Sequence, residues 1–252
     1  MPASRLKSIA KRYLPARLTG ALRQRITRAK VLRAEPGSWI GANLRYEAAE
    51  GSDLARVEAL AARTEAMGAT PLWEGYEAGG VRTPSQVRTD IAMGRFYTFI
   101  VTERRPKLIV EFGTAFGVSG MYWLAGLKRN GSGHLLTFEP NERWAAAARA
   151  NLTEIGSRFT LTPGTFEDNL AVVDRFPERI DIGFIDAIHT SAFVLPQLEL
   201  VAARAAPGAL IFFDDITFSD DMQDCWRTIA ARPHYAAAAE IGNRVGVIEL
   251  GR

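Results

Sequence analysis

Two apolar runs in the second half of the chain end in acids. "IDIGFI" is followed by Asp186 and, three residues on, His189; "ALIFF" is followed by Asp214 and Asp215. Carboxylates brought to one spot repel one another and raise each other's pKa unless a cation sits among them. Oxygen-only donors without a thiolate suit a hard ion such as Mg2+ or Ca2+, which keeps several waters and exchanges them for substrate oxygens. A blander alternative has Asp215 capping the turn toward residues 217–220, Asp186 meeting only a cofactor, and His189 opening the next helix.

A second constellation precedes these acids. The run "KLIVEF" leads into "EFGTAFG", with Glu111, Gly113, Ala115 and Gly117, and the next run ends in Glu139. Small residues after a strand let a tight turn pass close to a ligand. An acid closing the following strand can accept hydrogen bonds from both hydroxyls of a ribose. A dinucleotide site would want G-x-G-x-x-G, with backbone N–H groups around a pyrophosphate. This chain has G-x-A-x-G, with an acid two positions before the first glycine. That carboxylate would repel a pyrophosphate and suit a ligand carrying an ammonium and a sulfonium.

These residues need a sheet to position them. From Lys107 seven short apolar runs follow: "KLIVEF", "HLLTFEP", "FTLTPG", "IDIGFID", "ALIFFDD", "AAAAEIG" and "RVGVIEL". Helical stretches alternate with the first five. Nearly continuous apolar strands alternating with helices predict a doubly wound α/β fold, its mostly parallel sheet covered on both faces. The last two runs, joined near Asn243, can pair only as an antiparallel hairpin. Ligands in such a sheet bind beyond the carboxyl ends of the strands, where all of these residues fall. Residues 51–104 are expected to be a helical cap that shapes the substrate region. Ser52 opens one helix, and "TPSQ" opens another running from Thr83 to about Glu103, with Pro84 at its first position and Gln86 completing a capping box.

The pattern resembles the class I S-adenosylmethionine (SAM)-dependent methyltransferases, in which "E/D-x-G-x-G-x-G" ends the first strand and an acid ends the second; Ala115 stands where the second glycine would be. The resemblance covers about residues 84–252 and implies a seven-stranded Rossmann-like sheet. It also implies that Glu111, Gly113, Ala115, Gly117, Glu139, Thr165, Phe166 and Asp186 bind SAM. Thr165 and Phe166, in "GTFED", would lie near the adenine, with Glu167 or Asp168 as an acceptor for its amino group. Within that class the wording "D-x-x-H-[ST]" followed by "G-x-[LI]-x-x-x-DD" is similar to the metal-dependent O-methyltransferases of the macrocin, rhamnosyl and catechol types. By that likeness Asp186, Asp214 and Asp215 would hold Mg2+ or another hard divalent cation. His189 occupies the position of the catechol type's lysine base. With an ordinary pKa of about 6.5, a histidine is a competent base for a metal-acidified hydroxyl. The expected reaction is methylation of a hydroxyl on a sugar or secondary metabolite. Trp73, Tyr76, Phe218, Met222 and Trp226 are the candidates to line the acceptor pocket.

Composition sets the remaining bounds. The 252 residues are 47% hydrophobic and 23% charged, and no apolar run reaches the length of a spanning helix. The single cysteine, Cys225, rules out an intramolecular disulfide or a cysteine-based metal cage, and no secretory leader is read at residues 1–20, so a cytoplasmic protein is expected. Ten of the 31 Lys and Arg fall within residues 1–33, which hold no Asp or Glu. Leucines and isoleucines recur there at spacings that predict amphipathic helices broken near Pro15. Residues 1–50 are therefore read as a basic helical arm and linker, ahead of a SAM-binding core at 105–252. The arm could lie on anionic lipid as a peripheral membrane contact, or pack on a partner such as a second copy of the chain. No motif calls specifically for nucleic acid.

Overall fold

The computed structural model describes residues 29–45, 47–76 and 79–251. In chain order the strands are β1 (Ala29–Ala34), β2 (Thr70–Pro71), β3 (Val81–Arg82), β4 (Leu108–Phe112), β5 (His134–Glu139), β6 (Phe159–Pro163), β7 (Ile180–Ile185), β8 (Ala205–Phe213), β9 (Tyr235–Ile241) and β10 (Val245–Leu250). The helices are α1 (Trp39–Asn43), α2 (Ser52–Thr64), α3 (Pro84–Val87), α4 (Ile91–Arg104), α5 (Val118–Asn130), α6 (Glu142–Ile155), α7 (Leu170–Val173), α8 (Ser191–Arg204) and α9 (Asp220–Ala230).

All seven expected runs are strands of one sheet, with the order β1-β9-β10-β8-β7-β4-β5-β6. Neighbours from β6 to β8 pair in parallel, and β10 enters antiparallel between β8 and β9. The central strands are buried on both faces, and alternate residues feed two cores. Ile109, Leu135, Ile182, Phe184, Leu210 and Phe212 pack with α2, α4, α5 and α6. Leu108, Val110, Phe112, Leu136, Ile185, Ile211 and Phe213 face the layer containing α8 and α9. This is the period-two division of a doubly wound sheet.

Three expectations need correction. The sheet has eight strands rather than seven, because residues 29–34, the end of the supposed helical arm, form β1 and pair antiparallel with β9. The physical reason is the open edge of β9, whose N–H and C=O groups would otherwise lack partners in the sheet. The segment is also pinned beyond β1, since the buried Glu249 carboxylate accepts hydrogen bonds from the Trp39 and Ile40 N–H groups at 2.9 and 2.8 Å. The arm's other predicted contacts, with lipid or a partner, involve residues 1–28, outside those described.

Second, the helix expected from Thr83 to Glu103 is two helices. The Thr83 capping box is present, but α3 stops when Arg88 turns extended, and Asp90 starts α4 by accepting from the Met93 N–H at 2.9 Å. Such a cap contributes about 1 kcal/mol. Third, α4 is not part of a separate cap. Its Phe96, Tyr97, Ile100 and Val101 are fully buried in the sheet's own core, with Tyr97 stacked on Trp123 at 4.2 Å.

Candidate active site

The chain runs outward from β4 to β6 on one side and from β7 to β8 on the other, so the loops after β4 and β7 part where the strand order reverses. That crevice is the usual ligand site of an open α/β sheet. Here it holds a cavity of about 420 Å³, within the common range for small-ligand pockets. Backbone bonds tie its floor together: Asp186 N–H donates to the Phe112 carbonyl at 3.2 Å, and Asp214 N–H to that of Ile185 at 3.1 Å.

The Gly-rich loop makes one wall. Gly113 has φ +92°, and a Cβ there would stand 1.6 Å from the Asp186 carbonyl oxygen, so only glycine lets the two loops touch. Ala115 also lies in the left-handed region, at φ 47°, a conformation that costs a non-glycine residue about 1–2 kcal/mol. The strain sits where the resembled motif has glycine. Gly113, Ala115, Glu139, Thr165, Phe166 and Asp186 all line the cavity. Glu139 is oriented by two backbone donors, Ala115 N–H at 2.7 Å and Asn141 N–H at 2.8 Å. Burial pushes its carboxyl up to about 7, while those two donors pull the other way. A carboxylate has about four acceptor positions, so two remain for a ligand's hydroxyls. Phe166 is stacked on Phe112 at 4.6 Å and so presents a rigid aromatic surface. Of the two acids offered for the adenine amino group, Glu167 lines the cavity, whereas Asp168 accepts from the Thr165 hydroxyl at 2.8 Å instead.

Two predicted cofactor residues take other places. Glu111 is 0% exposed and does not line the cavity. Its oxygens accept from Trp123 Nε1 at 3.1 Å and the Thr137 hydroxyl at 3.0 Å, and burial pushes its carboxyl up to about 7 against these bonds. It supports the loop from beneath. Gly117 caps α5 at φ 78°, where a Cβ would press on Ala148 of α6 at 3.2 Å, so its work is helix packing.

At the other end of the cavity β7 and β8 are neighbours, and they bring Asp186, Asp214, Asp215 and His189 together as the spacing predicts. His189 Nε2 stands 3.9 Å from Asp186 Oδ1 and 4.0 Å from Asp215 Oδ2. Burial, then repulsion from Asp214, raises the Asp186 pKa well above the carboxylate range. The cation among these acids is a side chain that sequence reasoning missed. Arg244 grips Asp214 through two bonds, Nε to Oδ1 at 3.0 Å and Nη2 to Oδ2 at 2.6 Å, and its Nε is also 3.1 Å from Asp215 Oδ1. Burial alone would lower the Arg244 pKa, but Asp214 first, then Asp215 and Asp186, raise it.

The β9–β10 hairpin delivers this residue. Gly242 and Asn243 both have φ near +60°, and Arg244 N–H closes the turn on the Ile241 carbonyl at 3.1 Å, the geometry of a type I′ turn. A hard divalent ion does not fit the donors as placed, because it would have to share these acids with the Arg244 guanidinium, a like charge already bonded to both oxygens of Asp214 and beside Asp215. No group of three or more His, Cys, Asp or Glu among the described residues is disposed to hold a metal. The metal centre expected of Asp186, Asp214 and Asp215 is thus not shown among the described residues.

The acceptor candidates divide. Trp73, Tyr76 and Phe218 line the cavity, with Phe218 62% exposed at its mouth and 5.4 Å from the His189 ring. Met222 and Trp226 instead lie on the inner face of α9, packed into the core. His134 pairs with the Thr160 hydroxyl at 2.9 Å, away from the cavity.

Comparison with known proteins bears on the domain and its fold. Residues 110–216 match the family model described as a methyltransferase domain. A protein of Mycobacterium sp. (strain KMS), named provisionally as an O-methyltransferase, is 29% identical over 120 residues, 46% of this chain and 53% of that protein. The chain thus spans about half the length of the curated relatives it matches. Among solved structures, the O-methyltransferase TomG from Streptomyces achromogenes, involved in tomaymycin synthesis and in complex with SAM, aligns with TM-score 0.59 and 18% identity over 85% of this chain and 95% of that one. The O-methyltransferase from Bacillus cereus in complex with S-adenosylhomocysteine (SAH) aligns with TM-score 0.57 and 20% identity over 85% and 96%. At these identities the likeness is one of fold, and the fold is the Rossmann-like α/β fold the sequence predicts. No helix among the described residues is long and apolar enough to cross a membrane.

Proposed function

We propose that the chain is a SAM-dependent O-methyltransferase acting on a hydroxyl of a secondary metabolite with an apolar, aromatic body. One observation carries this reading: the Gly113 cradle and oriented Glu139 open onto the same cavity as His189, Asp186 and the aromatic mouth. SAM bound there would supply a methyl carbon on a positively charged sulfur. Glu139 would accept from the ribose hydroxyls, and the base would lie against Phe166, whose ring is held by its stack on Phe112. Asp186, beside the crossing of the two loops, would face the sulfonium end, whose positive charge would oppose the burial that raises the Asp186 pKa and favour its carboxylate form.

In such a transfer the acceptor oxygen would form the new O–C bond while the S–C bond would break with its electron pair going to sulfur. The hydroxyl proton passes to His189 Nε2. Holding oxygen and methyl in line at about 3–3.5 Å supplies roughly 7–11 kcal/mol of the barrier, so placement by the cavity walls is the largest part of the work. The apolar lining from Trp73, Phe193 and Phe218 favours an aromatic acceptor over a bare sugar.

Calorimetry with SAH tests the cofactor half. Wild type should bind it, and Glu139→Ala should weaken binding by about 10- to 100-fold through lost charge-assisted bonds. A wild-type chain with no affinity for SAH overturns the reading. Transfer of tritium from methyl-labelled SAM to a panel of phenols, catechols and sugars tests the acceptor half. His189→Asn should lower kcat by about 10²- to 10⁴-fold with SAH affinity unchanged, and unaltered kcat would remove His189 as the base.

A further inference from the structure

The acids beyond β7 and β8 gather like the ligands of a divalent ion, yet the hairpin between β9 and β10 inserts a guanidinium among them. A guanidinium is a fixed charge that cannot be lost at physiological pH, and its planar fork matches a carboxylate. Arg244 uses that fork on Asp214 and shares Nε with Asp215. Among the described residues its Nη1 makes no hydrogen bond, although the side chain lines the cavity and is 33% exposed. The side chain thus reaches the same cavity as His189, with its Nη1 group not committed to a hydrogen bond among the described residues.

We propose that Arg244 takes the place of a divalent cation, binding the acceptor's reacting oxygen and stabilising the negative charge that develops on it, so that the transfer does not require a metal. The proposal rests on the methyltransferase reading. The balance of the step is unchanged: the oxygen's electron pair forms the O–CH3 bond, the S–CH3 pair leaves on sulfur, and the proton goes to His189. Arg244 makes and breaks no covalent bond. Its Nη1 hydrogens supply what a metal would otherwise supply, namely positive charge at the oxygen while its proton departs. Donors fixed in advance at a developing oxyanion are worth about 10²- to 10³-fold in rate when one is removed.

The first test needs no acceptor. Titration of the SAH-loaded wild type with Mg2+ or Mn2+ should give no binding heat and no change in Tm. Arg244→Ala leaves three carboxylates without their guanidinium, so that variant should keep SAH binding, take up Mn2+ and gain Tm in its presence. Metal binding by the wild type would overturn the proposal, as would an Arg244→Ala protein that holds SAH but binds no Mn2+. If Arg244→Ala fails to bind SAH, Arg244→Lys retains the charge and loses the fork. It should bind no metal and turn over more slowly than wild type. The second test uses the acceptor returned by the labelling screen. Wild-type turnover should be equal, within about twofold, in EDTA and in Mg2+, and Arg244→Ala in EDTA should fall by about 10²-fold or more. Loss of wild-type turnover in EDTA, restored by Mg2+, would overturn the proposal. Failure of SAH binding in the wild type would count against the methyltransferase reading instead, so the two failures are distinguishable.

Discussion

Replacing Gly113 with alanine probes the junction on which the cavity depends. The added Cβ would sit 1.6 Å from the Asp186 carbonyl oxygen and 3.1 Å from the Ala187 Cα, and a Cβ essentially never approaches another heavy atom closer than 3.0 Å. The carbonyl must therefore retreat by about 1.4 Å, or the Gly-rich loop must lift by as much. Both atoms are backbone, so no rotamer change relieves the clash. The residue would also have to hold φ +92°, which adds a strain of about 1–2 kcal/mol. Together these place Gly113→Ala in the range above about 4 kcal/mol that marks a specific steric cause. Misplacing the loop by an ångström should also cost about 10²-fold or more in SAH affinity or turnover.

Gly131→Ala is the matched control. Gly131 caps α5 at φ +68° with nothing within 4 Å of where a Cβ would stand, so this variant should lose only about 1–2 kcal/mol and bind SAH as wild type does. Urea unfolding gives the stabilities and calorimetry the affinities. Equal destabilisation of the two variants, or wild-type SAH affinity in Gly113→Ala, would refute the claim that loop contact shapes the site.

Two further predictions concern buried carboxyls. Glu111 titrates at about 7 in the folded chain against an ordinary 4.5, so between those values the folded state retains a proton that the unfolded state has released. Stability is then fully present below the unfolded pKa and is lost as pH rises through the folded one, by about 3 kcal/mol. Glu111→Gln should flatten part of the fall in urea midpoint between pH 5 and pH 8, leaving the shares due to Glu139 and Asp186; an unchanged slope would count against it. Glu249→Ala removes the acceptor for two N–H groups at the start of α1, at about 1–3 kcal/mol for each group left buried and unpaired. Amide exchange should quicken over residues 29–43 while the central strands stay protected, and uniform exchange across the sheet would contradict that local role.

The strands and most of the cavity wall were legible because they depend on local patterns. A run such as "LIVEF" is apolar on both faces wherever it folds, and "EFGTAFG" signals a turn whatever surrounds it. Glu111 and Gly117 show where this kind of reading stops. Both belong to the motif, but the first turns inward to Trp123 and the second meets Ala148, and neither partner is visible from the motif's spacing. β1 was hidden for a related reason. Lys30 and Arg33 make the segment look like a charged helix, and the open edge of β9 that recruits it lies about 200 residues away.

Arg244 is the sharpest case of a partner that no local pattern announces. Acids at the ends of two adjacent strands say that a cation belongs among them, because unpaired carboxylates at that density would hold protons or drift apart. They do not say which cation. A metal and a guanidinium satisfy the same electrostatic demand, and a motif assembled from the acids alone is identical for both. The decision lies in the hairpin, where "GNR" reads as turn chemistry until the sheet order places its arginine beside Asp214. Its consequences differ in kind. A divalent ion is exchangeable, so a reaction that depends on it can be switched off by a chelator; an arginine comes with the fold. The same three acids are therefore compatible with two different chemistries, separated by one residue in the turn between β9 and β10.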